Sequence, residues 1–244
     1  MIIAEIGLNH LGDSKYAYNY VQELVRSVDA ITFQIREPEF YNDSKFSKYI
    51  LSDTDYNKLI KYIHSKNKKV GIAICDPSKI NFFINSGIDF FKILSKDIDN
   101  YELLKEIDKT KKPIFLSTGM SNIVEIKKAI KFFNKKTNLS LIHTQLSHNI
   151  HDVNLNSISK LKTKLKLPIA YGHHSDNILV MYLALCFIPS DIFFYVRGVK
   201  KNLHPDQKHA IPLSKVNKIT KNFILLPHAL GSGEKQKMLD LINK

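Results

Sequence analysis

The first fourteen residues, MIIAEIGLNHLGDS (positions 1–14), read as a strand, a polar turn and the start of a helix. Residues 2–6 form a short apolar run broken only by Glu5, and residues 7–13 are rich in glycine, asparagine and aspartate. A near-continuous apolar run, rather than alternation, is what a parallel strand covered on both faces requires. Gly12-Asp13-Ser14 then offers capping side chains for a helix over residues 16–28. Strand, turn and capped helix make one βα unit.

The unit recurs along the chain. Apolar runs fall at residues 30–34 (AITFQ), 70–74 (VGIAI), 90–93 (FFKI), 114–116 (IFL), 139–143 (LSLIH), 169–172 (IAYG) and 192–196 (IFFYV). Between them, polar-faced periodic segments predict helices over 53–65, 100–109, 122–134, 156–165 and 176–187. Ser52 or Asp53 caps the first of these, and Ser121 precedes the third. Pro113 and Pro168 sit just before strands, where proline is tolerated. About eight such units in 244 residues, with short linkers and no Pro/Ser-rich joint, predict one α/β domain over residues 1–244. Its expected architecture is a (β/α)8 TIM barrel of parallel strands. An open doubly wound sheet is the runner-up, disfavoured because the turn at residues 7–12 lacks a dinucleotide fingerprint.

Composition narrows the function classes. Thirty-six Lys and Arg against 23 Asp and Glu give a formal charge of +13. The lysines scatter over segments 61–69, 131–136 and 160–166 without the interleaved aromatics and glycines of a nucleic-acid groove, so no nucleic-acid partner is expected. A basic field also suits a phosphorylated small molecule. No apolar run approaches the roughly 18 residues of a membrane span. The N-terminus carries no signal-peptide pattern, and Cys75 and Cys186 are far apart, so a reduced cytoplasmic setting is expected.

In such a barrel the chemistry lies at the C-terminal strand ends. Those positions hold Glu5, Asn9 and His10; Gln34 and Arg36; Cys75 and Asp76; Lys92 and Ser95; Ser117 and Thr118; His143 to Gln145; His173 to Ser175; and Arg197. Carboxylates, imidazoles, a lysine and hydroxyls on one rim suit an anionic, phosphate-bearing substrate and a metal. Single residues have plainer readings: Glu5 pairing with Lys92 as a structural bridge, or His143 donating to a backbone carbonyl. His173 and His174 cannot both face inward on one strand.

The order of short motifs resembles the sialic acid synthase (N-acetylneuraminate synthase) family. AEIGLNHLGD at 4–13 is similar to that family's opening, followed by FQ at 33–34, KILS at 92–95 and PIFLSTGM at 113–120. DVNL at 152–155, YGHHS at 171–175 and PDQK at 205–208 continue the resemblance. It extends over nearly the whole chain but concerns the barrel domain only; the antifreeze-like domain that usually follows in the family is not within these 244 residues. The resemblance implies condensation of phosphoenolpyruvate with an N-acyl hexosamine, such as N-acetylmannosamine, to a nonulosonic acid plus phosphate in surface-glycan biosynthesis. It implies Lys92 and Ser95 on the phosphate, with Ser117, Thr118 and Ser175 nearby and Asn9 within the site. Gln34, Asp97 and Asp206 would contact the sugar. Glu5 would stand beside the attacked carbon, and His174 would ligate a divalent metal, manganese or magnesium. A homodimer is compatible with the resemblance.

Several positions depart from the family pattern. Thr32 stands where a lysine is usual, Gly172 and His173 replace Ser-Asp, and Cys75 replaces a threonine. Val196 is read at the position of the second metal-binding histidine. Compensation by His173, His204 or His209 for the metal, and by Arg36 or Arg197 for charge, is left open. Two alternatives follow: a non-catalytic or metal-independent relative that binds a sugar or phosphate, and a lyase forming a Schiff base at Lys92.

Overall fold

The computed structural model of the protein describes residues 1–200 and 204–235. Eight parallel strands run in sequence order: β1 (Ile2–Gly7), β2 (Ala30–Ile35), β3 (Lys69–Ile74), β4 (Phe90–Ile93), β5 (Ile114–Ser117), β6 (Leu139–His143), β7 (Ile169–His173) and β8 (Ile192–Arg197). Pairing of β8 with β1, with Glu5 opposite Tyr195, closes the sheet into a (β/α)8 barrel. The two-residue β9 (Ile211–Pro212) adds to the mouth end of β8.

The helices are α1 (Ser14–Leu24), α2 (Pro38–Asn42), α3 (Asp53–Ser65), α4 (Ile80–Asn85), α5 (Tyr101–Lys109), α6 (Ile123–Ile130), α7 (Asn156–Leu165), α8 (Leu179–Ala184) and α9 (Leu213–Leu225). Helix starts follow their caps: Asp13 accepts from Tyr16 N, Ser52 from Asp55 N and Asn100 from Leu103 N. Asn122, rather than Ser121, caps α6, in a capping box with Glu125. The expected helix over 176–187 is shorter: α8 begins at Leu179 and tightens into a 3₁₀ turn at Leu185–Phe187. Helices α2, α4 and α9 were not anticipated. The INFFIN run of α4 is too short and too apolar to display a helical period.

Two cores follow from strand alternation. Outward side chains such as Ile6, Phe33, Phe91 and Val196 pack beneath the helices. Inward, Ile3, Ala30, Phe90, Phe115, Ile142, Ala170 and Phe193 fill the barrel floor. Phe90 meets Phe115 edge-on at 5.1 Å, and Phe115 meets Phe193 at 5.0 Å. Gly71 makes room for this floor, since a Cβ there would lie 2.1 Å from the Phe90 ring. Two residues further along four of these strands the inward position turns polar: Ile3 gives way to Glu5, Phe90 to Lys92, Phe115 to Ser117 and Phe193 to Tyr195. The period-2 alternation thus stacks a reactive layer directly on an apolar one.

Candidate active site

A cavity of about 200 Å³ opens above the floor, at the C-terminal end of the strands. Its wall contains Glu5, Gln34, Lys92, Ser95, Ser117, His174 and Asp206, seven residues anticipated from the sequence.

On the β4–β5 side, Lys92 forms an ion pair with Glu5 of β1, their side chains only 5% and 3% exposed. The Lys92 ammonium also lies 5.4 Å from the ring centres of both Phe193 and Tyr195. A buried pair of this kind loses several kcal/mol of hydration per ion, so either partner alone would be strongly unfavourable. Ser95 opens the 3₁₀ turn after β4, and its hydroxyl accepts from Gly119 N at 3.0 Å, tying two mouth loops together. Ser117 ends β5 facing inward. Thr144 lines the same wall with its hydroxyl buried and unpartnered.

On the β7–β8 side, His174 lines the cavity, whereas His173 turns outward to hydrogen-bond Tyr171 at 3.2 Å. His174 stacks on His209, centroids 4.4 Å apart and planes at 20°. His209 in turn stacks on His148 at 5.1 Å and 21°. Tyr195 closes the group edge-on, 5.6 Å from His174 and 5.2 Å from His209. Burial, with His209 and Lys92 beside it, holds His174 well below the ordinary imidazole range. Burial lowers His209 to about 3, and neither ring nitrogen has a hydrogen-bond partner, Nε2 standing 3.8 Å from Asp206 Oδ1. These rings are therefore neutral at physiological pH. Asp206 goes the other way: burial and the neighbouring Glu5 raise its carboxyl to about 7.

Asn9 positions rather than lines the site. Its amide donates to Val196 O at 2.8 Å and accepts from Asp206 N at 3.3 Å, fixing the loop that carries Asp206. Three expected residues lie off the cavity wall. Thr118 donates to Ile142 O at 2.9 Å and lies outside the cavity. Ser175 donates to His148 O at 3.3 Å and accepts from Asn177 N, bracing a loop. Asp97 is buried under the β4 loop, paired with Lys96 at 3.0 Å and absent from the wall. The proposed replacement charges are also engaged elsewhere: Arg36 grips Glu37 through two bonds of 2.9 and 2.8 Å, and Arg197 donates to Ala210 O.

Val196 points away from the mouth into the helix-facing core, so the β8 residue that faces the cavity is Tyr195. Sequence reading missed Tyr195, although its pairing with Glu5 puts the two on one face. It also missed the stacking role of His148 and His209, which lie beyond strand ends and carry no periodic signal; Thr144 fell within the strand-end stretch His143 to Gln145. A divalent cation does not fit this arrangement. Among the described residues no group of three His, Cys, Asp or Glu side chains is disposed to hold a metal. Rings stacked nearly parallel present faces to each other rather than converging lone pairs.

The model of the NeuB family matches residues 17–235. The chain belongs to the NeuB family. It is 32% identical to an uncharacterised protein of Methanocaldococcus jannaschii, over 97% of this chain and 74% of that one. It is 27% identical to the N,N'-diacetyllegionaminic acid synthase of Campylobacter jejuni, over 100% of this chain and 83% of the synthase. The solved N-acetylneuraminic acid synthetase of Leptospira borgpetersenii, in complex with citrate, superposes with a TM-score of 0.90 at 26% identity. That superposition covers 99% of this chain and 89% of the synthetase. Among the described residues of this NeuB-family barrel, no helix is long and apolar enough to cross a membrane.

Proposed function

We propose that the protein condenses phosphoenolpyruvate with the open-chain aldehyde of an N-acyl hexosamine, forming a nonulosonic acid and inorganic phosphate. The observation that carries this reading is the buried, inward-facing Lys92 flanked by Ser95 and Ser117, in one cavity with Glu5. In a family with legionaminic and sialic acid synthases among its relatives, that set suits a phosphorylated enol.

Lys92 and the two hydroxyls take the phosphate, and the substrate anion competes with Glu5 for the ammonium. Carbon 3 of the enol then forms the new C–C bond to the aldehyde carbon, and the carbonyl oxygen becomes an alkoxide. Water adds at carbon 2, and the C–O bond to phosphate breaks, leaving the 2-keto acid. The alkoxide takes up one proton of the added water and the second leaves with the phosphate as the 2-keto group forms, so the site needs a relay rather than a net proton source. Asp206, with its carboxyl raised to about 7, is suited to that relay. Gln34 lies on the same wall, in position to contact the acceptor's polar groups.

The test is phosphate release from phosphoenolpyruvate across a panel of N-acyl hexosamines, each with and without manganese. Release that needs both substrates is expected. Complete absence across the panel would sink the reading.

A further inference from the structure

The mouth of the barrel contains a cation-sized problem: an aldehyde oxygen must gain negative charge, and the residues around it are not disposed to hold a metal. What they provide is a stack of three imidazoles at 5.1 and 4.4 Å, ending at the cavity wall in His174. Among the described residues no protein group hydrogen-bonds the His174 ring nitrogens, so an N–H is free for a ligand in the cavity. The ring cannot tumble: His209 covers one face, Tyr195 abuts it edge-on at 5.6 Å, and His148 backs His209 while its own Nδ1 meets His174 O at 2.8 Å.

We infer that His174 meets the acceptor's carbonyl oxygen as a neutral imidazole hydrogen-bond donor, in the role a divalent cation would otherwise fill. His209 and His148 are positioning residues that hold the donor's plane. A neutral imidazole is a competent electrophile where a fixed N–H points at the oxygen that develops charge. As carbon 3 of the enol attacks, the carbonyl π pair moves onto oxygen and is stabilised by this N–H. The proton that completes the hydroxyl comes through the carboxyl relay from the water that adds at carbon 2, so no proton is lost from His174 overall. The inference rests on the synthase reading for its substrate, but its metal-free half stands on the side-chain geometry alone.

Two measurements test it. In the first, metal-stripped protein is titrated with manganese. No saturable binding below about 1 mM is expected, since one or two imidazoles and water bind such an ion weakly. Micromolar binding that disappears in His174→Ala would overturn the inference. In the second, phosphate release is followed with a chelator and with manganese. Equal rates are expected, together with a loss of about 10-fold in His174→Gln, which keeps an N–H donor, and about 10²–10³-fold in His174→Phe, which does not. Activity abolished by chelator and restored by manganese, or a Gln variant as inactive as the Phe variant, would overturn it. If no condition releases phosphate, the synthase reading fails, and the manganese titration decides the metal-free half by itself.

Discussion

The two walls of the cavity are built on opposite principles. The β4–β5 wall holds Lys92 among hydroxyls and sets its positive charge against the carboxylate of Glu5, which reaches across from β1. The β7–β8 wall disfavours charge: burial holds the stacked His174 and His209 neutral, and Asp206 is pushed towards its protonated form. One wall suits an anion that arrives charged. The other suits a neutral carbonyl that acquires charge only during reaction, where preformed dipoles are worth most.

The strongest way to break this comparison is to remove the charge from the first wall. Lys92→Met leaves Glu5 buried and unpaired, and a loss of about 3–5 kcal/mol is expected on chemical denaturation. Phosphoenolpyruvate binding by calorimetry should disappear with it. Adding Glu5→Gln should recover most of the stability without recovering binding. Recovery of binding in the double variant would show that the Lys92 charge is not what recognises the phosphate.

The next largest effect lies on the second wall. Asp206→Asn should lower kcat by about 10²-fold, the usual contribution of a positioned proton carrier. In the parent protein kcat/KM should rise with pH through about 7, where the Asp206 carboxyl ionises and can accept a proton from water. That limb should vanish in the variant. A limb that persists unchanged assigns the proton relay to another group.

The difference between the walls also marks what the sequence could reveal. Strands buried on both faces leave unbroken apolar runs, and all eight expected runs coincide with strands to within a residue at either end. The polar first wall was visible because Lys92 interrupts FFKI and Glu5 interrupts IIAEI. The second wall was not. IFFYV is apolar on both faces, so nothing in it distinguishes inward Tyr195 from outward Val196. One residue reverses the face of a strand. His209 reaches His174 from a segment after β8 whose path depends on Asn9, a contact between residues nearly two hundred positions apart. The hydroxyls of Thr118 and Ser175 were placed on strand ends by the sequence but donate to backbone carbonyls in the structure, because a strand-end hydroxyl serves a carbonyl as readily as a ligand.

The smallest effect separates the walls by stability rather than rate. Burial lowers His10 and His173 to about 4 and His209 to about 3, against an unfolded value near 6.5. The folded protein therefore binds fewer protons than the unfolded chain below pH 6.5, so this contribution is complete above 6.5 and is lost as pH falls towards 4. Asp206 opposes it, because a carboxyl raised from 3.8 to about 7 favours the fold at the acidic end of that window and loses the advantage as pH rises through it. Three imidazoles outweigh one carboxyl, and net stability should fall on acidification from 6.5 to 4. Each histidine contributes on the order of 1–3 kcal/mol. Urea midpoints measured across that range should show the slope, reduced in His209→Phe, which keeps an aromatic ring against His174. The slope should steepen in Asp206→Asn and stay unchanged in Thr144→Val, just past the end of β6. An unaltered slope in His209→Phe would mean that the stack is not held by neutral, buried imidazoles, and the contrast between the walls would rest on Lys92 and Glu5 alone.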